Sequence, residues 1–272
     1  MKYCFTELPP EFQRFELTEN SMFWRGFIRG GSTLPSAYGR QMINLCRDLL
    51  NGDLEMIKDR PKIAAGIGSD FFVKLYKLPG MIAQACRRFR HGRAIHCLMA
   101  AEVLQNCGAI TPQVVAAFEM RCGRHIYDFL ITEKLPDDAL TLGYFFNKHN
   151  YSVSGIWDFL LKDAIPEVVR IHDAGIAHGD LNLRNMYQFS GKVGFIDLDS
   201  VNFSPVPLNI SAREKELARF LSGFLRFEGF KSLDVSESAS ELVVAYHKFS
   251  QVQCSKENII RRANYLLDRL HR

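Results

Sequence analysis

Short apolar runs separated by turn residues dominate residues 54–132. Two of these runs, KIAAGI and FFVKLY, flank Gly68-Ser69-Asp70, and that arrangement predicts a β-hairpin. A second hairpin is predicted within residues 113–132, where VVAAFEM and HIYDFLIT flank Cys122-Gly123-Arg124. The N-terminal half is therefore expected to be rich in β-strand.

Helical periodicity occurs between the two hairpins, within residues 81–105. Its apolar positions follow the i, i+3, i+4, i+7 spacing of a helix face, and they are Ile82, Ala85, Cys86 and Phe89. Cys107-Gly108 and then Pro112 predict where this helix stops.

Helix-forming residues predominate after Pro136, apart from one strand-turn-strand piece at residues 185–198. Pro166 predicts a kink or a break in the long helix that precedes this piece. An apolar stripe further on is interpreted as core packing rather than a membrane anchor, and it consists of Leu217, Phe220, Leu221, Phe224 and Leu225. The pattern as a whole predicts an α+β fold.

The first 53 residues give no clear element or role. A turn-rich stretch at residues 25–39 interrupts any periodicity before an apolar run at residues 42–50. No chemistry is assigned to this region.

Composition is that of a globular protein, with 47% hydrophobic and 24% charged residues. The net charge of +4 is too small for a nucleic-acid footprint over the whole chain, so no nucleic-acid partner is expected. Seven cysteines without a Cys-x-x-Cys pair argue against a zinc site and favour a reducing compartment. With no signal peptide and no long apolar window apparent, a cytoplasmic location is expected, and adsorption to a membrane face stays open.

The most informative segment is HGDLNLRN at residues 178–185, followed by GFIDLD at residues 194–199. Asn185 lies five residues after Asp180, and Asp197 lies 17 residues after it. Phosphoryl transfer needs a carboxylate that orients a hydroxyl and hard oxygen ligands for Mg²⁺, and this set of side chains supplies both. The kinase signature has the form His-x-Asp-x-x-x-x-Asn and then Asp-Phe-Gly.

A plainer interpretation exists for each of these residues taken alone. Asp180 and Asn185 could cap turns, and Asp197 could end a strand. The combination, with an apolar run before each acidic residue, favours the kinase interpretation. His178 is expected to hold the loop backbone rather than to take part in chemistry.

A kinase also needs a lysine on a strand of the N-terminal half, and FFVKLY offers Lys74. Strand alternation places Phe72 and Lys74 on one face. A solvated lysine on an edge strand is the alternative, but together with the downstream loop Lys74 is the best candidate for binding the α- and β-phosphates. Residues 131–135, which include Glu133 and Leu135, would form a hinge whose backbone groups face adenine.

The chain at this point resembles the bacterial lipopolysaccharide core sugar kinases, the Kdo and heptose kinases, which are small relatives of the protein kinases. The resemblance rests on FFVKLYK, CGAITP at 107–112, FLITEKL at 129–135, IHDAGIAHGDLNLRN at 171–185 and FIDLDS at 195–200. It implies a two-lobed protein-kinase-like fold that uses ATP and Mg²⁺ to phosphorylate a sugar hydroxyl of the lipid A–core glycolipid. It also implies work at the cytoplasmic face of the inner membrane.

The resemblance implies roles for individual residues as well. Asp180 would be the base, Asn185 and Asp197 the metal ligands, and Lys74 the phosphate-binding lysine. Asp199 would be the second acid of an Asp-Phe-Asp variant. The N-terminal lobe is expected at residues 1–134 and the C-terminal lobe at residues 135–272.

Two features depart from the kinase pattern. No Gly-x-Gly-x-x-Gly is present, and the first turn is instead Lys58-Asp59-Arg60-Pro61. No acidic residue occurs between Phe71 and Ala101, so Glu102 is the first candidate partner for Lys74. These departures keep a pseudokinase that binds a partner as one alternative, and a soluble small-molecule kinase of the aminoglycoside or choline type as another.

The same acid-free stretch is strongly basic. It carries Lys74, Lys77, Arg87, Arg88, Arg90 and Arg93. A solvated helix face is the usual role of such clusters, whereas an acidic glycolipid on an anionic membrane surface is the functional alternative. The sequence specifies neither the sugar, nor the hydroxyl, nor the oligomeric state.

Overall fold

The computed structural model describes residues 10–19, 21–30, 36–77, 92–123, 125–149, 151–227 and 233–269. The chain forms two compact units. The sheet unit comprises the described residues of Cys4–Glu102 and Pro112–Leu135, and the helical unit those of Val103–Thr111 and Pro136–Arg272. The α+β class predicted from the sequence is confirmed.

In the sheet unit, seven strands are described. They are β1 (Phe12–Glu19), β2 (Met22–Arg29), β3 (Glu55–Arg60), β4 (Ile63–Ile67), β5 (Phe71–Lys77), β6 (Val114–Cys122) and β7 (His125–Glu133). They form one antiparallel sheet in the order β1-β2-β6-β7-β5-β4-β3. Both hairpins expected from the sequence are present, as β4–β5 and β6–β7.

The described residues between positions 10 and 53, to which the sequence analysis assigned no role, extend this sheet and its core. Alternate residues of β2 are buried, among them Trp24 and Ile28. Helix α1 (Ser36–Asn51) packs on the same face, where Met42 and Cys46 join Trp24 in one hydrophobic cluster. This cluster also takes in inward-facing residues of β5, β6 and β7.

Helix α2 (Arg93–Asn106) begins at Arg93, whose backbone N–H donates to the buried carboxylate of Asp128 at 3.0 Å. The contact satisfies one of the unpaired N–H groups at the helix start. Gly108, with φ of +81°, follows the end of the helix, close to the stop predicted from the sequence. The four apolar positions at Ile82, Ala85, Cys86 and Phe89 lie outside the described residues.

In the helical unit, the described helices are α3 (Leu142–Lys148), α4 (Val153–Phe159), α5 (Ile165–Asp173), α6 (Ile210–Leu225), α7 (Val235–Phe249) and α8 (Lys256–Asp268). A π-helical segment, Leu160–Ala164, separates α4 from α5, and Pro166 lies in the first turn of α5. A break at this proline is not present, because Leu160, Ala164 and Ile165 all keep right-handed helical backbone angles; the irregularity is the π-helical segment that precedes Pro166. The five apolar residues of the α6 stripe are all buried, which confirms their core role.

Short strands complete this unit. They are β8 (Leu140–Thr141), β9 (Ile176–Ala177), β10 (Met186–Phe189), β11 (Lys192–Phe195) and β12 (Asn202–Phe203). Strand β10 pairs with β8 and β11, and β9 pairs with β12. The β10–β11 hairpin is the strand-turn-strand piece that the sequence predicts.

A buried polar network joins α5, α6 and α7. Arg213 donates to the Tyr246 hydroxyl at 2.9 Å and to the Leu208 carbonyl at 2.8 Å, and it pairs with Asp173 at 2.7 Å. His172 Nδ1 lies 3.0 Å from the same hydroxyl. Burial lowers the pKa of His172 to about 3, so this imidazole is neutral at pH 7.

Among the described helices, none has both the length and the apolar character needed to cross a membrane.

Candidate active site

The segment from His178 to Asn185 forms a loop in which Asp180 is held from two sides. The Asn185 side-chain amide donates to Asp180 Oδ2 at 2.9 Å and to the Asp180 carbonyl at 2.8 Å. The Asn182 amide donates to Asp180 Oδ1 at 3.1 Å. Asp180 is exposed whereas Asn185 is only 8% exposed, so a buried amide orients a carboxylate that solvent can reach.

His178 lies beneath this loop and is fully buried. Its Nε2 is 3.1 Å from the carbonyl of Ile196, and burial lowers its pKa. A neutral ring whose Nε2–H donates to that carbonyl fixes the loop to the end of β11. This contact agrees with the backbone-holding role expected from the sequence.

Gly179 requires a backbone that other residues adopt at a cost. Its φ is +82°, and a Cβ at this position would lie 2.1 Å from the Ser200 carbonyl oxygen. Its N–H donates to Glu216 Oε2 at 3.0 Å, and Arg219 holds the other carboxylate oxygen of Glu216 at 2.5 Å. Helix α6 therefore anchors the turn that presents Asp180.

A second contact with α6 is made by Gly223. A Cβ built on Gly223 would lie 2.8 Å from the Cβ of Asn182, so only glycine lets the helix come this close to the loop. Arg226 follows one turn later. Burial lowers the pKa of Arg226 and the charge of Asp180 opposes that shift, which places this cation within electrostatic range of Asp180.

Asp197 comes directly after the segment that holds Asn185. The Ile196 N–H donates to the Asn185 carbonyl at 2.9 Å, so the two proposed ligands are tied together through the backbone. Asp197 is exposed and has left-handed backbone angles, with φ and ψ both 60°. This conformation costs a residue other than glycine on the order of 1–3 kcal/mol, and such strain is concentrated at functional sites.

The donor atoms fit a magnesium ion. The Asn185 side-chain nitrogen donates to Asp180, and no hydrogen bond among the described residues reaches the Asn185 side-chain oxygen, Oδ1. Asn185 and Asp197 thus offer two hard oxygen ligands, while the described residues contain no cluster of three His, Cys, Asp or Glu side chains able to hold a metal. Two protein ligands suit Mg²⁺, which usually keeps water and substrate phosphate oxygens around it.

Lys74 lies in the sheet unit, on the face of β5 opposite the core. Val73 and Leu75 belong to the hydrophobic cluster, whereas Lys74 is 8% exposed and its Nζ lies 5.2 Å from the centre of the Tyr76 ring. The alternation expected for this strand is present.

The sequence suggested Glu102 as the partner of Lys74, but the structure shows a different ion pair for Glu102. Its carboxylate pairs with Arg29, which also lies 3.6 Å from Glu11. Burial, followed by the nearby Glu11, raises the pKa of Glu102 to about 7. The ion pair of Glu102 with Arg29 ties α2 to β2.

The proposed hinge residues use their backbone groups differently. The Glu133 N–H donates to the Gln113 carbonyl at 2.9 Å, and the Lys134 N–H donates to the Asp70 carbonyl at 2.8 Å. Within the described part of the chain, the Leu135 N–H has no acceptor. Leu135 therefore has a donor available for a ligand, whereas the donor of Glu133 is already used.

Other residues singled out from the sequence are only partly described. Lys77 pairs with Asp59 at 2.9 Å, so β3, which lies beyond β4 in the sheet, supplies the carboxylate that the stretch around Lys77 lacks. Asp199 lies in a 3₁₀ turn at Leu198–Ser200, directly after Asp197. Arg87, Arg88 and Arg90 lie outside the described residues.

Sequence reasoning missed Glu216 and Asn182. Glu216 is 31 residues beyond Asn185 in an ordinary amphipathic helix, so no local motif marks it as a support of the loop. Asn182 lies inside the motif, and its spacing of two residues from Asp180 is typical of an Asx turn that could have indicated it.

A family model described as the lipopolysaccharide kinase (Kdo/WaaP) family matches residues 81–246, more than half of the chain. The chain belongs to this family. The match contains the loop and the β11 segment described above, and it confirms the resemblance drawn from the motifs. Membership makes the chain a kinase, a phosphotransferase that acts on a sugar hydroxyl in lipopolysaccharide biosynthesis.

Solved structures give the fold. A structure of WaaP in complex with acyl carrier protein superposes with a TM-score of 0.53 at 17% identity, covering 88% of this chain and 95% of that one. WbdD has a TM-score of 0.48 at 16% identity, covering 76% of this chain and 44% of that one. A glucosamine kinase has a TM-score of 0.42 at 10% identity, covering 96% and 83%. The WaaP superposition confirms a kinase-like fold. No curated protein sequence shows a significant match.

Proposed function

We propose that this kinase transfers the γ-phosphoryl group of ATP to a hydroxyl of Kdo or heptose in the lipopolysaccharide inner core. The observation that carries the proposal is the joined arrangement of Asp180, Asn185 and Asp197. An oriented carboxylate next to two hard oxygen ligands supplies what phosphoryl transfer needs.

In the proposed reaction, the sugar oxygen forms a bond to the γ-phosphorus while the bond from that phosphorus to the bridging oxygen breaks, and ADP leaves. Asp180 orients the hydroxyl and accepts its proton. Asn185 Oδ1 and the Asp197 carboxylate would hold Mg²⁺, which neutralises charge on the β- and γ-phosphates when bound. Lys74 would bind the α- and β-phosphates, and the N–H of Leu135 would donate to adenine.

The experiment incubates the purified protein with ATP, MgCl₂ and lipopolysaccharide that carries an unphosphorylated inner core. Mass spectrometry should show the gain of one phosphate, and fragmentation should place it on Kdo or on heptose. Phosphorylation of an aminoglycoside or choline instead would support the soluble small-molecule alternative. ATP binding without transfer to any acceptor would support a pseudokinase.

We also propose that the acceptor is reached at an anionic membrane surface, where each basic residue contributes about 1 kcal/mol and attraction fades beyond roughly 8 Å at physiological salt. The support is the basic stretch of the sequence, whose residues include Arg87, Arg88, Arg90 and Arg93. Replacing these four by glutamine should reduce co-sedimentation with anionic liposomes and raise the KM for a membrane-embedded acceptor. Unchanged liposome binding would assign the stretch to a solvated helix face.

A further inference from the structure

The β3–β4 hairpin occupies the first turn of the kinase pattern, and its turn is poorly suited to bind phosphate through the backbone. Arg60 pairs with Ile63, so Pro61 and Lys62 alone form the turn. Pro61 has no N–H, and the Lys62 carbonyl accepts the Lys77 N–H at 2.9 Å. Phosphate-binding turns instead present several successive N–H groups, usually with glycine. Positive charge for a polyphosphate must therefore come from side chains.

The register of the sheet places Lys58 in the same row as Lys74. Lys58 pairs with Ala65, and Ala65 pairs with Lys74. Residues directly opposite each other in an antiparallel ladder point to the same face, so both lysines share the face opposite the hydrophobic core. Their strands are two spacings apart, or about 9.6 Å, and only the methyl group of Ala65 lies between them.

A β-bulge produces this placement. The ladder shifts between Met56, which pairs with Gly66, and Lys58, so Ile57 is the extra residue of β3. In a ladder without the shift, position 57 would lie opposite Ala65 and Lys58 would point to the other face.

Arg60 belongs to the next row on the same face. It pairs with Ile63, and Ile63 pairs with Tyr76. The Lys74 ammonium lies 5.2 Å from the centre of the ring of Tyr76, which belongs to the row of Arg60. Three cationic side chains are thus presented on one face at the hairpin end of the sheet.

The hairpin carries two acidic residues, and they lie on different faces of β3. Glu55 pairs with Ile67, and Ile67 pairs with Phe72, so Glu55 shares the face of Lys58 one row away. Asp59 is held on the opposite face. Asp59 pairs with Ala64, which lies in the row of the core residue Leu75, and its carboxylate binds Lys77 at 2.9 Å. In the described part of the chain, neither Lys58 nor Arg60 has a carboxylate within ion-pair distance. Their charges are therefore available to an anionic ligand.

We propose that Lys58 and Arg60 bind the phosphates of the nucleoside triphosphate with their side chains, beside Lys74, in place of a glycine-rich turn. This inference rests on the proposed use of ATP. It assigns a phosphate-binding role to two residues of β3 and predicts that nucleotide affinity depends on the number of phosphates.

The test measures the affinity of the full-length protein for ATP, ADP and adenosine, with Mg²⁺, in wild type, Lys58→Gln, Arg60→Gln and the double variant. A hydrogen bond to a charged group contributes about 1.5–3 kcal/mol, so each single substitution should weaken ATP binding by about tenfold or more. Adenosine affinity should stay within about twofold, and the salt dependence of ATP binding should become shallower. Lys62→Gln is the matched control, since it removes the same charge from an exposed turn position whose alternation places it on the opposite face.

Three outcomes would overturn the inference. They are unchanged ATP affinity in the double variant, an equal loss of ATP and adenosine affinity, and a loss in Lys62→Gln as large as that in Lys58→Gln. A wild-type protein that binds neither ATP nor adenosine would instead reject the proposed function itself. The two failures are thereby distinguished.

Discussion

The loop at residues 178–185, which presents Asp180, and the β3–β4 hairpin are built in contrasting ways. Buried groups from distant parts of the chain hold the loop, with Glu216 on the backbone of Gly179 and His178 on the carbonyl of Ile196. Strand β3 of the hairpin is exposed along most of its length, and its side chains are placed by strand register and one bulge. A base and metal ligands need fixed positions, whereas long cationic side chains can adjust to a polyphosphate. The side chains of the loop must therefore be held more rigidly than those of the hairpin.

The largest effect is expected from removing the oriented carboxylate of the loop. Asp180→Ala should lower turnover on a confirmed acceptor by about 10²- to 10⁴-fold, because positioned acid–base groups contribute that much. Mg-ATP affinity should stay within about twofold, measured by titration calorimetry. Asp158→Ala, at an exposed helix position, is the matched control and should leave both quantities unchanged. Wild-type turnover in Asp180→Ala would contradict the assignment of the base.

Substitutions at Asp197 should affect magnesium binding and the stability of the fold in different ways. Asp197→Asn should weaken Mg²⁺ affinity in the presence of ATP by about 10- to 100-fold, by analogy with changes around other metal sites. Asp197→Gly should lose the ligand as well, yet it should raise the free energy of unfolding by about 1 kcal/mol, because glycine adopts the left-handed backbone without strain. Magnesium titrations and urea unfolding test the pair. Unchanged magnesium affinity in Asp197→Asn would reject the ligand role.

The support from α6 can be weakened without touching the loop. Glu216→Gln can accept only one of the two hydrogen bonds that Glu216 now accepts, from Gly179 and Arg219. Losing a charged hydrogen bond costs about 1.5–3 kcal/mol, so turnover should fall by about tenfold while adenosine affinity is preserved. Glu167→Gln removes a carboxylate that pairs with Arg170 at 2.9 Å on the protein surface, and it should change little. Equal effects of the two variants would argue against Glu216 as a support.

The smallest effect concerns pH, and it contrasts the two units. His172 has its pKa lowered from 6.5 to about 3 by burial, so the unfolded chain binds more protons and stability falls as pH drops from about 6.5 toward 3. Glu102 has its pKa raised from 4.5 to about 7, so the folded chain binds more protons and stability falls as pH rises from 4.5 to 7.

Urea unfolding between pH 4.5 and 7 tests this contrast. Relative to wild type, His172→Gln should remove a contribution to the free energy of unfolding that increases with pH. Glu102→Gln should remove a contribution that decreases with pH. Tyr246 and Arg213, which face His172, stay unchanged in both variants. Slopes that shift in the same direction in the two variants would contradict the assignment.

Sequence patterns predicted the parts of the molecule in which local chemistry determines structure. The turn residues at 68–70 and 122–124 predicted their hairpins, and the spacing of Asp180, Asn185 and Asp197 predicted a site whose residues the structure joins. The roles of those side chains stay predictions. Strands β1 and β2 went unassigned because turn-rich residues 25–39 interrupted the pattern, although an arginine directly follows each of the buried residues Trp24 and Ile28.

Long-range contacts lay beyond the reach of the sequence. The pairing of Glu102 with Arg29 depends on how α2 lies against β2, and the placement of Lys58 depends on a one-residue bulge. Neither leaves a signal in local composition. In both cases tertiary packing, rather than the propensity of the residues, decides the partner.

The strand order of the sheet has a consequence for how the chain folds. Strand β2 pairs with β6, and Met22 lies opposite Cys122, one hundred residues later. Strands β6 and β7 join the β1–β2 hairpin to the β3–β4–β5 meander. Until ribosomal synthesis reaches Glu133, these two pieces have unpaired edges and no shared sheet. Closing such long loops slows folding and exposes strand edges to other chains, so this unit should depend on chaperones more than the helical unit does.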